Sequence, residues 1–129
     1  MGYGQLSKVK SLVGRLKIRS EFIHVTTNGK KWVTHGFILV ASAQREKSKP
    51  DLECLPRVGC TATKKIGNSV ARNKAKRILR AISKEVLTSS NPPAWDYVII
   101  ARKALATSSY EDLKKDFRWA IKKLEAKIV

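Results

Sequence analysis

The sequence predicts an α+β fold, a two-layer sandwich of helices on one small sheet, with elements in the order α-β-β-α-β-α. Three observations predict it. Residues 57–63 alternate, with Val58, Cys60 and Ala62 on one face and Gly59, Thr61 and Thr63 on the other. Residues 95–101 are almost wholly apolar, the pattern of a strand buried on both faces. Residues 69–87 and 109–127 carry apolar side chains at helical spacing.

Each element has a local reason. Residues 1–17 are basic and Gly-punctuated and read as a mostly loose arm, which leaves 18–129 as a single domain. A short helix is expected from Arg19 to about Thr27, with Ser20 as N-cap, Glu21 in the first turn and Phe22 and Val25 on one face. Asn28-Gly29 ends it. Residues 32–43 read as one extended stretch centred on Phe37-Ile38-Leu39-Val40. Residues 44–55 are polar, contain Pro50 and read as a flexible loop before the strand at 57–63. The long helix that follows is capped near Asn68 or Ser69, and Ser89-Ser90-Asn91-Pro92-Pro93 breaks it. After the strand at 95–101, Ser109 opens the last helix. Glu111 and Asp112 lie in its first turn, and Leu113, Phe117, Ala120, Ile121 and Leu124 form its apolar face.

Charge bounds the function. The 129 residues hold 27 Lys and Arg against 10 Asp and Glu, a formal net charge of +17. Self-repulsion on that scale usually serves a polyanionic partner. No apolar run reaches the ~18 residues that span a bilayer, and residues 1–19 have no apolar core like that of a secretory signal. No membrane role is expected. Cys54 and Cys60 have neither disulfide-framework nor zinc spacing, and free thiols in a reducing cytoplasm are the expectation.

The informative segment is Lys64-Lys65-Ile66-Gly67-Asn68-Ser69-Val70-Ala71-Arg72-Asn73-Lys74-Ala75-Lys76-Arg77-Ile78-Leu79-Arg80. From Leu55 to Lys84 there is no acidic residue. On a helical wheel, Ala71, Ala75, Ile78, Leu79, Ile82 and Val86 share a sector of about 100° that should face the sheet. Lys76, Arg77, Arg80 and Lys84 point the opposite way with Asn73, and Arg72 and Lys74 flank them. Val70 and Leu87 fall outside the apolar sector. Solvated helix faces normally mix signs, because like charges one turn apart weaken a helix. An uncompensated run makes sense if phosphates are the missing partners. Neutralising ~6 phosphates would lower affinity by ~10³ or more between low and moderate salt.

This segment resembles the signature of the ribonuclease P protein subunit: two Lys, an apolar residue, Gly-Asn, a small residue, Val, then Arg-Asn-Arg and later basic residues. The likeness extends to Arg15-Leu16-Lys17 with Glu21-Phe22, to Arg57-Val58-Gly59, and to Asp96-Tyr97-Val98-Ile99-Ile100-Ala101-Arg102-Lys103. The resemblance implies a small mixed sheet whose βαβ unit, strand 57–63 to strand 95–101, crosses over left-handed, where the general rule would give the right hand. It implies a partner RNA that performs the hydrolysis with magnesium ions held mainly by that RNA. The protein then has no catalytic residue and no dedicated metal site of its own. It implies that Lys64, Asn68, Arg72, Asn73, Lys74, Lys76, Arg77 and Arg80 meet the catalytic RNA. Phe22, Thr61, Thr63, Lys65, Arg102 and Lys103 would line a cleft for the single-stranded 5′ leader of precursor tRNA. A cytoplasmic ribonucleoprotein with no obligate protein partner is expected.

Three positions depart from the family pattern. Lys74 stands where an Arg is usual, and the bidentate fork is lost there. Thr26 and Val40 stand where aromatics are often found, which removes stacking surface. The rival reading is a ribosomal protein or general RNA chaperone, which needs only the charge. A self-sufficient nuclease would need a carboxylate cluster or a His pair, and the acids, His24 and His35 are scattered. No helix-turn-helix or zipper pattern supports a sequence-specific DNA binder.

Overall fold

A computed structural model describes residues 14–16, 19–43, 56–90 and 95–128. The chain runs β1 (Gly14–Arg15), α1 (Arg19–Asn28), β2 (Lys30–Val33), β3 (Phe37–Ala43), β4 (Arg57–Thr61), α2 (Ser69–Ser90), β5 (Trp95–Ala101) and α3 (Tyr110–Ile128). Short 3₁₀ turns lie at Lys64–Ile66 and Lys103–Thr107. The strands form one mixed sheet in the order β1-β4-β5-β3-β2. β4 runs parallel to β1 and β5, and β3 is antiparallel to β2 and β5. This is the expected α+β fold with a mixed sheet and helices packed on it.

Strand parity divides the core in two. Phe37, Leu39 and Ala41 of β3, Val58 of β4, and Tyr97, Ile99 and Ala101 of β5 face α2 and α3. They meet Ala75, Leu79, Ile82 and Val86 of α2 and Leu113, Phe117, Ala120, Ile121 and Leu124 of α3. Each large side chain buried there contributes about 1.5–3 kcal/mol. On the other sheet face, Leu16, Val25, Val40 and Val98 form a smaller core, with Phe22, Ile38 and Ile100 packed against it. β5 sends side chains into both cores, which is why its sequence is apolar except at Asp96.

Both long helices start on side-chain caps. The Asn68 Oδ1 accepts the Ala71 N–H at 2.9 Å, and the Ser109 Oγ accepts the Asp112 N–H at 3.1 Å. Gly67, just before the first cap, has φ 143°, a conformation a side chain would strain.

The sequence reading needs correction in five places. Residues 32–43 are not one strand. Lys30–Val33 and Phe37–Ala43 form a hairpin closed at Thr34, whose N–H donates to the Phe37 carbonyl at 2.8 Å and whose Oγ1 accepts the Phe37 N–H at 3.2 Å. The basic arm is shorter than 1–17, because Gly14–Arg15 is an edge strand on β4 and Leu16 is buried. The rest of the arm, 1–13 and 17, and the expected loop at 44–55 lie outside the described residues. Ser20 is not an N-cap, since α1 already includes Arg19. β4 ends at Thr61, before the 3₁₀ turn, rather than at Thr63. Leu87 is buried although the wheel excluded it, because α3 closes over the last turns of α2.

One charged group organises the α1 face. Arg57 Nε and Nη2 donate to the two Asp96 oxygens at 2.9 and 2.7 Å, and Nη1 donates to Glu21 Oε2 at 3.0 Å. The Asp96 side chain is only 3% exposed. The fork ties β4 to β5 and both to α1, and the paired carboxylates raise the Arg57 pKa further, the Asp96 hydrogen bond most. Next to Arg57 on that face, Gly59 admits Phe22. A Cβ there would come within 2.5 Å of the ring.

Asp96→Ala should cost about 2–3 kcal/mol in urea unfolding, because the Arg57 fork loses its buried acceptor, whereas Glu21→Ala should cost under about 1 kcal/mol. Gly59→Val should cost about 1–3 kcal/mol by displacing Phe22. A wild-type unfolding curve for either Asp96→Ala or Gly59→Val would show that this packing is not what holds α1 to the sheet.

Candidate nucleic-acid interface

The long amphipathic helix presents most of its cations where the wheel predicted, except that Lys76, expected opposite the sheet, is half-buried and Lys74, expected at the flank, is exposed. Its apolar face lies on the sheet, and Asn73, Lys74, Arg77, Arg80 and Lys84 are exposed on the other side. Arg72 and Lys76 are half-buried at the flank. No described carboxylate forms an ion pair with Lys64, Lys65, Arg72, Lys74, Lys76, Arg77, Arg80 or Lys84. The first carboxylate after this run, Glu85, instead accepts from Lys114 at 2.8 Å and from the Tyr110 hydroxyl at 3.0 Å, which hold its pKa below the usual carboxylate value. The Arg72 Nε is buried without a hydrogen-bond partner in the free chain. Val70, in the first helical turn, is 74% exposed beside these cations.

A groove of about 860 Å³ opens where β4 and β5 end. Ile38 and Ile100 line it with Thr63, Lys64, Lys65, Ile66, Ala101, Arg102 and Lys103. Of the residues expected in a leader cleft, Thr63, Lys65, Arg102 and Lys103 meet here. Lys65 arrives through the 3₁₀ turn rather than by continuing the strand. Phe22 and Thr61 do not line the groove. They sit farther along the same sheet face, Phe22 half-buried over Gly59 and Thr61 paired with Ile100. Lys64, expected at the catalytic RNA, lines the groove instead.

Arg102 is held in place: its N–H donates to the Gly36 carbonyl at 3.0 Å and its Nη1 to the Thr34 carbonyl at 2.7 Å. The hairpin turn thus fixes one edge of the guanidinium. On the far side of Ile66 and Arg102, a hollow of about 250 Å³ lies between α2 and the turn Lys103–Thr107, with Lys74 beside Ala71, Ala75, Ile78, Leu105 and Ala106.

The departures from the family pattern have visible consequences. The Thr26 hydroxyl donates to the Phe22 and Ile23 carbonyls of its own helix, at 3.0 and 3.2 Å. Val40 is buried in the smaller core. No aromatic residue lines the groove. Its apolar floor, Ile38 and Ile100, went unnoticed in sequence although strict alternation within the two apolar strands marks both positions. Asn68 is committed to its cap through Oδ1.

The groove lining offers ammonium, guanidinium and hydroxyl donors and neither carboxylate nor imidazole. Such a set suits phosphate oxygens and repels a cation. Among the described residues no group of three or more His, Cys, Asp or Glu could hold a metal ion, and no helix is long and apolar enough to cross a membrane. Cys60, packed half-buried against the main core, has its thiol pKa pushed up to about 11 by burial.

Residues 13–125 match the family model described as Ribonuclease P. The chain is 39% identical over 113 residues to the ribonuclease P protein component of Paramagnetospirillum magneticum, covering 87% of this chain and 83% of that protein. It is 33% identical over 108 residues to the one from Listeria innocua, covering 84% and 85%. Among solved structures, a Staphylococcus aureus RNase P protein mutant with defective mRNA degradation activity superposes with a TM-score of 0.70 at 25% identity, covering 97% of this chain and 98% of that one. The RNase P protein from Thermotoga maritima shares the fold, with a TM-score of 0.66 at 22% identity over 84% of this chain and 96% of that one. A cationic helix face that no described carboxylate pairs with, a basic groove at the strand ends and these likenesses place the chain in one family: it belongs to the ribonuclease P protein components, the protein part of a tRNA-processing endoribonuclease.

Proposed function

We propose that this protein works by positioning and charge neutralisation and leaves the chemistry to its RNA partner. The outward face and flank of α2, with Arg72, Asn73, Lys74, Lys76, Arg77 and Arg80, meet the catalytic RNA. The groove, with Thr63, Lys64, Lys65, Arg102 and Lys103, takes the single-stranded 5′ leader of precursor tRNA. Hydrolysis and the magnesium it needs belong to the RNA. The ribonucleoprotein works in the cytoplasm.

The observation that carries this reading is the cationic face with no carboxylate against it. Like charges one turn apart weaken a helix, and an external polyanion relieves the repulsion more specifically than dissolved salt does. The turn Lys64–Ile66 joins the groove wall to the start of α2, so one continuous basic surface can hold both RNAs at once. Bringing them together converts an encounter into a positioned complex, and phosphate neutralisation lets the RNA recruit magnesium at lower concentration. Arg forks bind phosphate bidentately, which suits Arg72 and Arg77 to a fixed RNA backbone.

The decisive measurement is cleavage of a leader-bearing precursor tRNA by a cognate catalytic RNA at low magnesium, with and without the protein. Stimulation is expected, and its absence would sink the assignment. Arg72→Ala and Arg77→Ala should each weaken binding to the catalytic RNA about 5–50-fold. Lys65→Ala should instead weaken leader-bearing substrate more than mature tRNA. Phe22 lies outside the groove and packs over Gly59, so Phe22→Ala should lower stability without a leader-specific loss. A leader-specific loss there would put Phe22 at the leader, and a general RNA binder would show no leader dependence in any variant.

A further inference from the structure

The edge strand β1 carries a cation toward α2. Gly14 and Arg15 pair with Arg57 and Val58 in a parallel ladder. Paired residues share a sheet face, and Val58 is buried on the α2 side. Arg15 is therefore on that side too, while the next residue, Leu16, turns into the smaller core opposite. Arg15 is exposed, and β1 is the outer strand of the sheet. The thiol of Cys60, two residues beyond Val58 on the same face of β4, experiences the charges of Arg80, Arg15 and Lys76 together. Two elements far apart in sequence, β1 and α2, thus bring three cations toward the same part of β4 at the sheet edge. None of the three side chains forms an ion pair with a described carboxylate. Arg15 has no helical reason to stand there, since the strand is only two residues long. Its charge adds to the repulsion along the flank of α2.

We propose that Arg15 is a phosphate contact for the catalytic RNA, extending the interface from the exposed face of α2 across β4 to the edge strand, with Lys76 and Arg80 completing the phosphate site. The proposal rests on the RNA-binding reading of α2 given above. Contact through a residue already paired in the sheet costs less ordering on binding than contact through a loose arm. One phosphate is added to those that α2 can neutralise.

The test is binding of the full chain to a cognate catalytic RNA over a salt series. For Arg15→Ala the slope of log affinity against log salt should fall in magnitude by about 0.7–0.9, with affinity ~5–10-fold lower at moderate salt. Arg15→Lys should restore most of the slope, while Lys122→Ala, on the far helix, should leave it unchanged. The preference for leader-bearing over mature tRNA should survive in Arg15→Ala. Folding is checked by thermal unfolding, and Arg15→Gln serves as the second charge-removing variant if alanine disturbs the edge. A wild-type slope in a folded Arg15→Ala or Arg15→Gln protein overturns the contact. So does an equal loss for Lys122→Ala, which would show a general charge effect. Loss confined to leader-bearing substrate would move Arg15 to the leader and also overturn it. A wild-type chain that does not bind the catalytic RNA overturns both this contact and the function beneath it.

Discussion

The Arg57–Asp96 fork is the interaction on which the rest of the molecule depends. It lies where β4 and β5 run in parallel, with Arg57 directly opposite Asp96 in the ladder. A carboxylate buried in a central strand is costly unless a charge and its hydrogen bonds meet it, and the guanidinium satisfies both oxygens. The third arm reaches Glu21 and so fixes α1 on the sheet. A slip of one residue between β4 and β5 would turn side chains to the wrong face and leave Asp96 unpaired. Register at this point sets where both strands end, and the groove opens at those ends.

From that frame the two sheet faces take different duties. The face under α2 and α3 holds the main core and makes the basic helix rigid. The other face is only partly covered by α1, which leaves Ile38 and Ile100 available as a groove floor. Apolar floor and cationic rim are the complement of a nucleotide chain, with bases on one side and phosphates on the other. In place of aromatic stacking, this chain offers aliphatic contact and an Arg102 held by the hairpin turn.

The electrostatic design is one of omission. Among the described residues, the ion-paired carboxylates lie in the Arg57 cluster and the α2–α3 link at Glu85, Lys114 and Glu111, and none pairs with the cations of α2 between Arg72 and Lys84. A buried or paired ridge would lose the long-range field that draws in a polyanion. The helix tolerates its own repulsion because packing of its apolar face, rather than surface charge pairs, stabilises it.

The sequence by itself determined the local chemistry. Helical spacing identified α2 and its buried side, and the absent acids between Leu55 and Lys84 identified its unpaired cationic face, since these follow from periodicity and charge alone. Capping residues located the starts of both long helices because their hydrogen bonds are local. The tertiary structure decided what depends on partners distant along the chain. It split residues 32–43 into a hairpin, whose one sequence signal, Gly36, could equally mark a bulge within a single strand. It paired Arg57 with Asp96, drew Arg15 out of the presumed arm onto the sheet edge, and set Phe22 over Gly59 rather than in the groove. Such contacts join residues tens of positions apart, and only strand pairing brings them together.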